Sequence, residues 1–184
     1  MEKRVKDILV KHFTTTEVYD IIKGLKQLAF FKLPASTKYH CASKGGLAKH
    51  SMNVYEKSME LLPVLGDGTV TPKDIVITSL LHDLNKCMKG YTPNTLKSGL
   101  DSTVVPYKSD ALLSGDGSLS CYLIRDVLGI SLTPIQYNAI ANHNIWEEDW
   151  KKNTILVHKN LIGYRLMLIL VTADLYCSQV QEVL

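Results

Sequence analysis

The chain has 184 residues, of which 46% are hydrophobic and 21% charged, with a formal net charge of +3. That length holds one domain with a real core, and the composition excludes fibrous, low-complexity and disordered classes. The mild positive balance gives no ground for a nucleic-acid surface, and it is compatible with an anionic small-molecule substrate. The four cysteines, Cys41, Cys87, Cys121 and Cys177, form no CxxC pair. This argues against a zinc knuckle or redox dithiol and for free thiols in a reducing cytoplasm. The charged start, Met1 to Asp7, is followed by no apolar stretch of a signal peptide. The most apolar run, residues 161–176, is interrupted by Arg165 and Asp174 and is too short to span a bilayer. A cytoplasmic protein with no membrane partner is expected.

Residues 5–13 place Val5, Ile8, Leu9 and Phe13 at helical spacing. Thr14 with Glu17 forms a capping-box signal for a second helix over 17–31, whose apolar face is Val18, Ile21, Ile22, Leu25 and Leu28. Pro34 stops it. Residues 32–46 read as an ordered loop carrying Lys38, His40, Lys44 and the Gly45-Gly46 pair, which permits a close backbone approach or an unusual turn. A third helix follows over 47–62, with Leu47, Val54 and Leu61 inward and His50 on or beside that face. Thr71-Pro72-Lys73-Asp74 opens a fourth helix over 73–88, with Val76, Ile77, Leu80, Leu81 and Leu84 as its apolar face.

Residues 89–113 carry little periodicity and many turn formers, the mark of a functional or a disordered loop, with Val104-Val105 as a candidate short strand. A fifth helix is expected over 118–128 after Ser114-Gly115-Asp116-Gly117, and a sixth from Thr133-Pro134 to 142, with His143 at its end. Residues 146–153 form a charged loop holding Trp146 and Trp150. The last helix, 159–183, aligns Leu166, Leu170, Ala173 and Asp174. The chain therefore reads as one all-α domain of about seven helices with no convincing sheet.

One stretch stands out, Leu80-Leu81-His82-Asp83-Leu84-Asn85-Lys86. It sets a histidine and an aspartate side by side near the end of an apolar helix, and buried polar groups cost several kcal/mol unless paired or bound to metal. The pair is expected to hold a metal ion, with His50, Asp174, Asp116 and His143 brought to it from elsewhere. Imidazole suits zinc, iron, nickel or cobalt, and carboxylate extends the choice to manganese and magnesium. Bland readings compete. A His-Asp pair can simply be solvated at a helix end. His143 can be a helix C-terminal cation, Asp116 a turn residue or N-cap, and Lys86 a helix C-terminal lysine. His40 and Lys44 can be ordinary loop residues.

Three blocks in order, Gly45-Gly46-Leu47-Ala48-Lys49-His50-Ser51, then Leu81-His82-Asp83-Leu84-Asn85-Lys86, then Thr172-Ala173-Asp174-Leu175, resemble the HD superfamily of metal-dependent phosphohydrolases. The resemblance covers residues 38–179, with residues 1–31 as two preceding helices, and is nearest a bacterial and phage single-domain subset. It implies an orthogonal helical bundle with the metal at its centre and His50, His82, Asp83 and Asp174 as ligands. It further implies that Asp83 orients the attacking water, that Lys86 touches the substrate phosphate, and that His40, in a lead-in over 38–46 where a histidine precedes a double glycine, faces the substrate; Lys44 of the same loop is a further substrate-binding candidate. In that subset a Gly-His-Gly often stands where Gly115-Asp116-Gly117 stands here, so Asp116 replaces a histidine, whereas His143 is kept. A second ion held by Asp116 and His143, or a single ion, are both open.

The activity so implied is metal-dependent hydrolysis of a phosphoester in a nucleotide, cyclic nucleotide or oligonucleotide end, by one or two ions of Mn, Fe, Ni, Co, Zn or Mg. The competing class is a non-catalytic protein that binds or sequesters a nucleotide in the same pocket. A purely structural domain is the third, and burial of four such groups speaks against it. Long nucleic acid is not expected as a partner, and oligomeric state is not legible.

Overall fold

The computed structural model describes residues 1–93, 107–109, 117–144 and 164–182. Among them are seven α-helices: α1 (Glu2–Leu9), α2 (Thr15–Gln27), α3 (Gly46–Leu65), α4 (Pro72–Leu81), α5 (Gly117–Asp126), α6 (Pro134–Ala141) and α7 (Arg165–Tyr176). The chain is an all-α bundle, as its patterning predicts. A 3-10 turn, Leu84–Met88, follows α4, and a π turn, Cys177–Gln181, follows α7. Where the sequence promises no sheet, β1 (Tyr91–Pro93) pairs antiparallel with β2 (Tyr107–Ser109), Tyr91 opposite Ser109. The candidate strand at Val104-Val105, and the loop carrying Trp146 and Trp150, lie outside the described residues.

The helix α4 is the axis of the bundle. Thr71 caps it reciprocally with Asp74, Pro72 fixes its first turn, and every residue from Ile75 to Leu81 is buried. A helix buried on all sides cannot be amphipathic and must lie between packed layers. On one side Val76, Ile77, Leu80 and Leu81 join Val5, Leu9, Ile21 and Leu25 of α1 and α2 and Ile124 of α5. On the other, Ile75 joins Val54 of α3, Ala139 of α6 and Leu166 and Leu170 of α7. Each such fully buried aliphatic contributes roughly 1.5–3 kcal/mol. The α3, α6 and α7 helices thereby pack against α4, whose C-terminal end carries His82.

Several helix ends differ from the sequence expectation: α1 stops at Leu9 rather than 13, and α7 stops at Tyr176 rather than 183, where the π turn begins. Two further ends have a clear local cause. The α2 helix stops at Gln27 rather than 31. Ala29 adopts φ +56°, Phe30 N–H donates to the Leu25 carbonyl, and Ala29 N–H donates to that of Lys26. This is a Schellman stop, usually marked by glycine and here built on alanine, which hides it from the sequence. The α4 helix ends at Leu81 rather than 88. Asp83 turns away at φ −101°, ψ 18°, Lys86 N–H donates to the Asp83 carbonyl, and Asn85 N–H donates to the Ser120 hydroxyl of α5.

The double glycine has two separate reasons. Gly45 caps α3 in the left-handed region at φ +79°, and a Cβ on Gly46 would run into the Cys41 carbonyl. Only glycine meets both demands without strain. Among the described residues no helix is long and apolar enough to cross a membrane.

Candidate metal centre

Four histidine rings stand in a row where α3, α4, α6 and α7 converge. Ring centroids are 4.9 Å apart for His40 and His50, 5.4 Å for His50 and His82, and 4.9 Å for His82 and His143. The break in α4 accounts for how two neighbours, His82 and Asp83, serve one centre. On a continuous helix they would point about 100° apart, but Asp83 belongs to the following turn.

Two of the rings are fixed by their own helices. His82 Nδ1 lies 2.9 Å from the Ser79 carbonyl, and His143 Nδ1 lies 2.6 Å from the Ile140 carbonyl. A carbonyl only accepts, so each Nδ1 carries a proton and donates. Both carbonyls are three residues back and belong to a helix's last turn, where the regular i+4 donors run out; the Ile140 carbonyl also accepts from His143 N–H at 3.5 Å. In the neutral ring the remaining lone pair is then on Nε2, the arrangement of a metal-ligating histidine. His50, in the interior of α3, has its Nδ1 2.9 Å from Glu182 Oε2, and Asn53 Nδ2 donates to Glu182 Oε1 at 2.7 Å.

The Nε2 atoms of His50, His82 and His143 are buried with no hydrogen-bond partner, as is that of His40. Carboxylates stand close to them without hydrogen-bond alignment. Asp83 Oδ2 is 3.4 Å from His50 Nε2 and 3.3 Å from His82 Nε2, and Asp83 Oδ1 is 3.6 Å from His143 Nε2. Asp174 Oδ1 is 3.1 Å from His50 Nε2 and 3.9 Å from His82 Nε2. Lys86 Nζ is 2.6 Å from Asp83 Oδ2. An unsatisfied buried donor or acceptor costs about 1–3 kcal/mol, so a cluster of orphaned nitrogens facing carboxylates is costly without a further occupant.

The donor atoms fall into three sets, each within 4.8 Å of one another: His50, His82 and Asp174; His82, Asp83 and His143; His40, His50 and Glu182. This buried group can hold a metal ion. Its mixed nitrogen and oxygen chemistry suits first-row divalent ions and does not select one.

The electrostatics are those of a compensated cluster. Burial opposes charge on His50, but the carboxylates of Asp174, Asp83 and Glu182 outweigh it and hold its pKa well above the usual imidazole value. Burial likewise opposes charge on His143, and Asp83 raises its pKa nonetheless. Burial opposes ionisation of Asp83 and Asp174. Lys86 and His82 overcome it at Asp83, and His50 and His82 overcome it at Asp174, so both carboxyls sit far below the ordinary range. Asp83 raises the pKa of Lys86 against the burial of its ammonium. His40 goes the other way: burial, then Lys86 and His50, push it down to about 4, so it is neutral.

Of the residues named from sequence, His40, His50, His82, Asp83, Lys86, His143 and Asp174 converge here. Lys44 does not: it is exposed in the turn before α3 and enters none of the cluster's ion pairs. Asp116 lies outside the described residues. Sequence reasoning missed Glu182, which follows the π turn beyond the last motif; a continued α-helix would have faced it elsewhere. Comparison of the chain with family models, curated proteins and solved structures returned no match.

Proposed function

We propose that the chain is a metal-dependent phosphohydrolase of the HD type, acting on a nucleotide, a cyclic nucleotide or an oligonucleotide end. The observation that carries this reading is the convergence of three orphaned imidazole Nε2 atoms and two ionised carboxylates in one buried cluster, with a lysine ammonium at its side. His50, His82, Asp83 and Asp174 would hold the ion, and His143 stands ready for a second. When bound, such an ion supplies a Lewis acid and an acidified water, the chemistry phosphoester cleavage needs.

The chain's own groups supply the rest. Asp83 is ionised and accepts a proton-bearing partner, so it orients an attacking water. Lys86, held charged beside it, stabilises the negative charge that gathers on phosphoryl oxygens. His40, neutral and half-buried, offers a hydrogen bond to a substrate without adding charge.

Purified protein supplied with Mn²⁺, Fe²⁺, Co²⁺, Ni²⁺, Zn²⁺ or Mg²⁺ should hydrolyse at least one phosphoester of a nucleotide panel, and His82→Ala should abolish it. No turnover with any of these ions would refute the reading.

A second reading rests on the Lys86–Asp83 pair at 2.6 Å, which satisfies part of Asp83 without any ion. It makes the pocket a nucleotide-binding site without catalysis. Tight nucleotide binding with no turnover under every ion favours it, and turnover lost in His82→Ala eliminates it.

A further inference from the structure

His50 differs from His82 and His143 in that its own helix cannot orient it. It sits in the interior of α3, where the carbonyl three or four residues back already accepts an intrahelical bond. Its Nδ1 meets instead a carboxylate 132 residues away in sequence, Glu182 Oε2 at 2.9 Å, and the other oxygen of that carboxylate is held by Asn53 Nδ2 at 2.7 Å. Asn53 is three residues beyond His50 on the same helix, so the acid is fastened at two points to α3. Glu182 is itself buried.

The backbone is bent to deliver it. Uninterrupted α-helix would leave Glu182 about 80° around the axis from Asp174. The π turn at Cys177–Gln181 winds less per residue, and Glu182 N–H closes an i to i−5 bond to the Cys177 carbonyl at 2.9 Å. Asp174 then meets His50 Nε2 and Glu182 meets His50 Nδ1 from one stretch of chain.

We propose that Glu182 is a positioning residue for the metal centre. Anchored by Asn53, it accepts from His50 Nδ1–H and thereby presents the Nε2 lone pair to the ion. This rests on the metal-centre reading above. The arrangement is that of a carboxylate–histidine–metal relay, in which the outer acid fixes tautomer and ring orientation and is worth about 10–100-fold in metal affinity. The π turn is the device that aims it. The set formed by His40, His50 and Glu182 is accordingly not a second ion site, since Glu182 is engaged by His50 and Asn53.

The test is Mn²⁺ affinity by calorimetry for wild type, Glu182→Ala, Glu182→Gln and His82→Ala, each below its own unfolding temperature. Glu182→Ala should weaken binding 10–100-fold. Glu182→Gln should recover most of that loss, because an amide oxygen still accepts from Nδ1–H and Asn53 can turn to present its own oxygen. Histidine ¹⁵N NMR of the Zn²⁺-loaded wild type, which needs no variant to fold, should find His50 ligated through Nε2 and protonated at Nδ1. Affinity of Glu182→Ala within twofold of wild type, or His50 ligated through Nδ1, overturns the proposal. If binding is lost in His82→Ala but kept in Glu182→Ala, this inference falls and the metal centre stands. If the wild type binds no ion, both fall.

Discussion

The histidines of the centre are held in two ways. His82 and His143 are set locally: each stands just past the end of a short helix and turns its Nδ1 to a carbonyl three residues back. His50 is set remotely, from the interior of a 20-residue helix, by an acid at the far end of the chain. A local hold is a property of a few consecutive residues and survives small shifts of the bundle. A remote hold depends on how α3 and α7 dock. The two halves of one centre should therefore respond differently to perturbation.

The largest expected effect acts on the local half. Lys86 sits three residues from Asp83 and pairs with it. For the proposed phosphoester hydrolysis, Lys86→Ala should lower kcat by about 10²–10³, while Mn²⁺ affinity stays level or tightens because a competing cation is gone. Steady-state kinetics beside calorimetry would check this. A parallel loss of both would make Lys86 part of the scaffold instead.

Gly46→Ala should strike the remote half. Its Cβ meets the Cys41 carbonyl, and the start of α3, four residues before His50, must move. Overpacking of this kind costs about 1–3 kcal/mol. Denaturant unfolding should show that loss, and Mn²⁺ affinity should fall with it. An unchanged affinity would mean that His50 tolerates displacement as readily as the locally held rings.

The carboxylates' grip on His50 should also appear in the pH dependence of the metal-free protein. His50 and His143 have raised pKa values, so their contribution is full below about pH 6.5 and is lost as pH rises through the folded values. Asp83, Asp174 and Glu182 have depressed values, so theirs is present above about pH 4 and is lost as pH falls. Thermal stability without metal should peak between these limits and decline from about pH 6.5 upward. A stability that is flat or rising from pH 6 to 9 would contradict this balance.

Ala29→Gly is the smallest change and lies away from both halves. Relieving the left-handed alanine at the end of α2 should add about 0.5–1 kcal/mol, seen as a rise in Tm with Mn²⁺ affinity unaltered. A change in affinity would show that the first two helices couple to the centre.

The same division explains what the sequence discloses. The helix starts at Thr14, Thr71 and Thr133 are written in adjacent residues, and each threonine caps its helix, with the reciprocal box present at all three. The apolar positions of α2 are legible too, as is the convergence of His50, His82, Asp83 and Asp174, whereas α4 has no single apolar face because it is buried all round. The stop of α2 was hidden because alanine occupies the position that glycine usually announces. The end of α4 was hidden because Leu84 continues its apolar pattern, while Asn85 N–H is taken by Ser120 from another helix. Glu182 was invisible for a related reason: its place depends on a π turn and on docking against Asn53, neither of which leaves a periodic trace. Lys44, conspicuous beside two glycines, is exposed; those glycines serve the backbone turn and not a pocket at Lys44.

The most direct test of the central claim is the metal content of protein purified without chelator, wild type and His82→Ala side by side, measured by elemental analysis before and after Mn²⁺ or Fe²⁺ is added. The account predicts one or two divalent ions per chain in the wild type and loss of binding in the variant. No ion in either protein, even after addition, would contradict it and leave the row of orphaned nitrogens to be satisfied by another ligand.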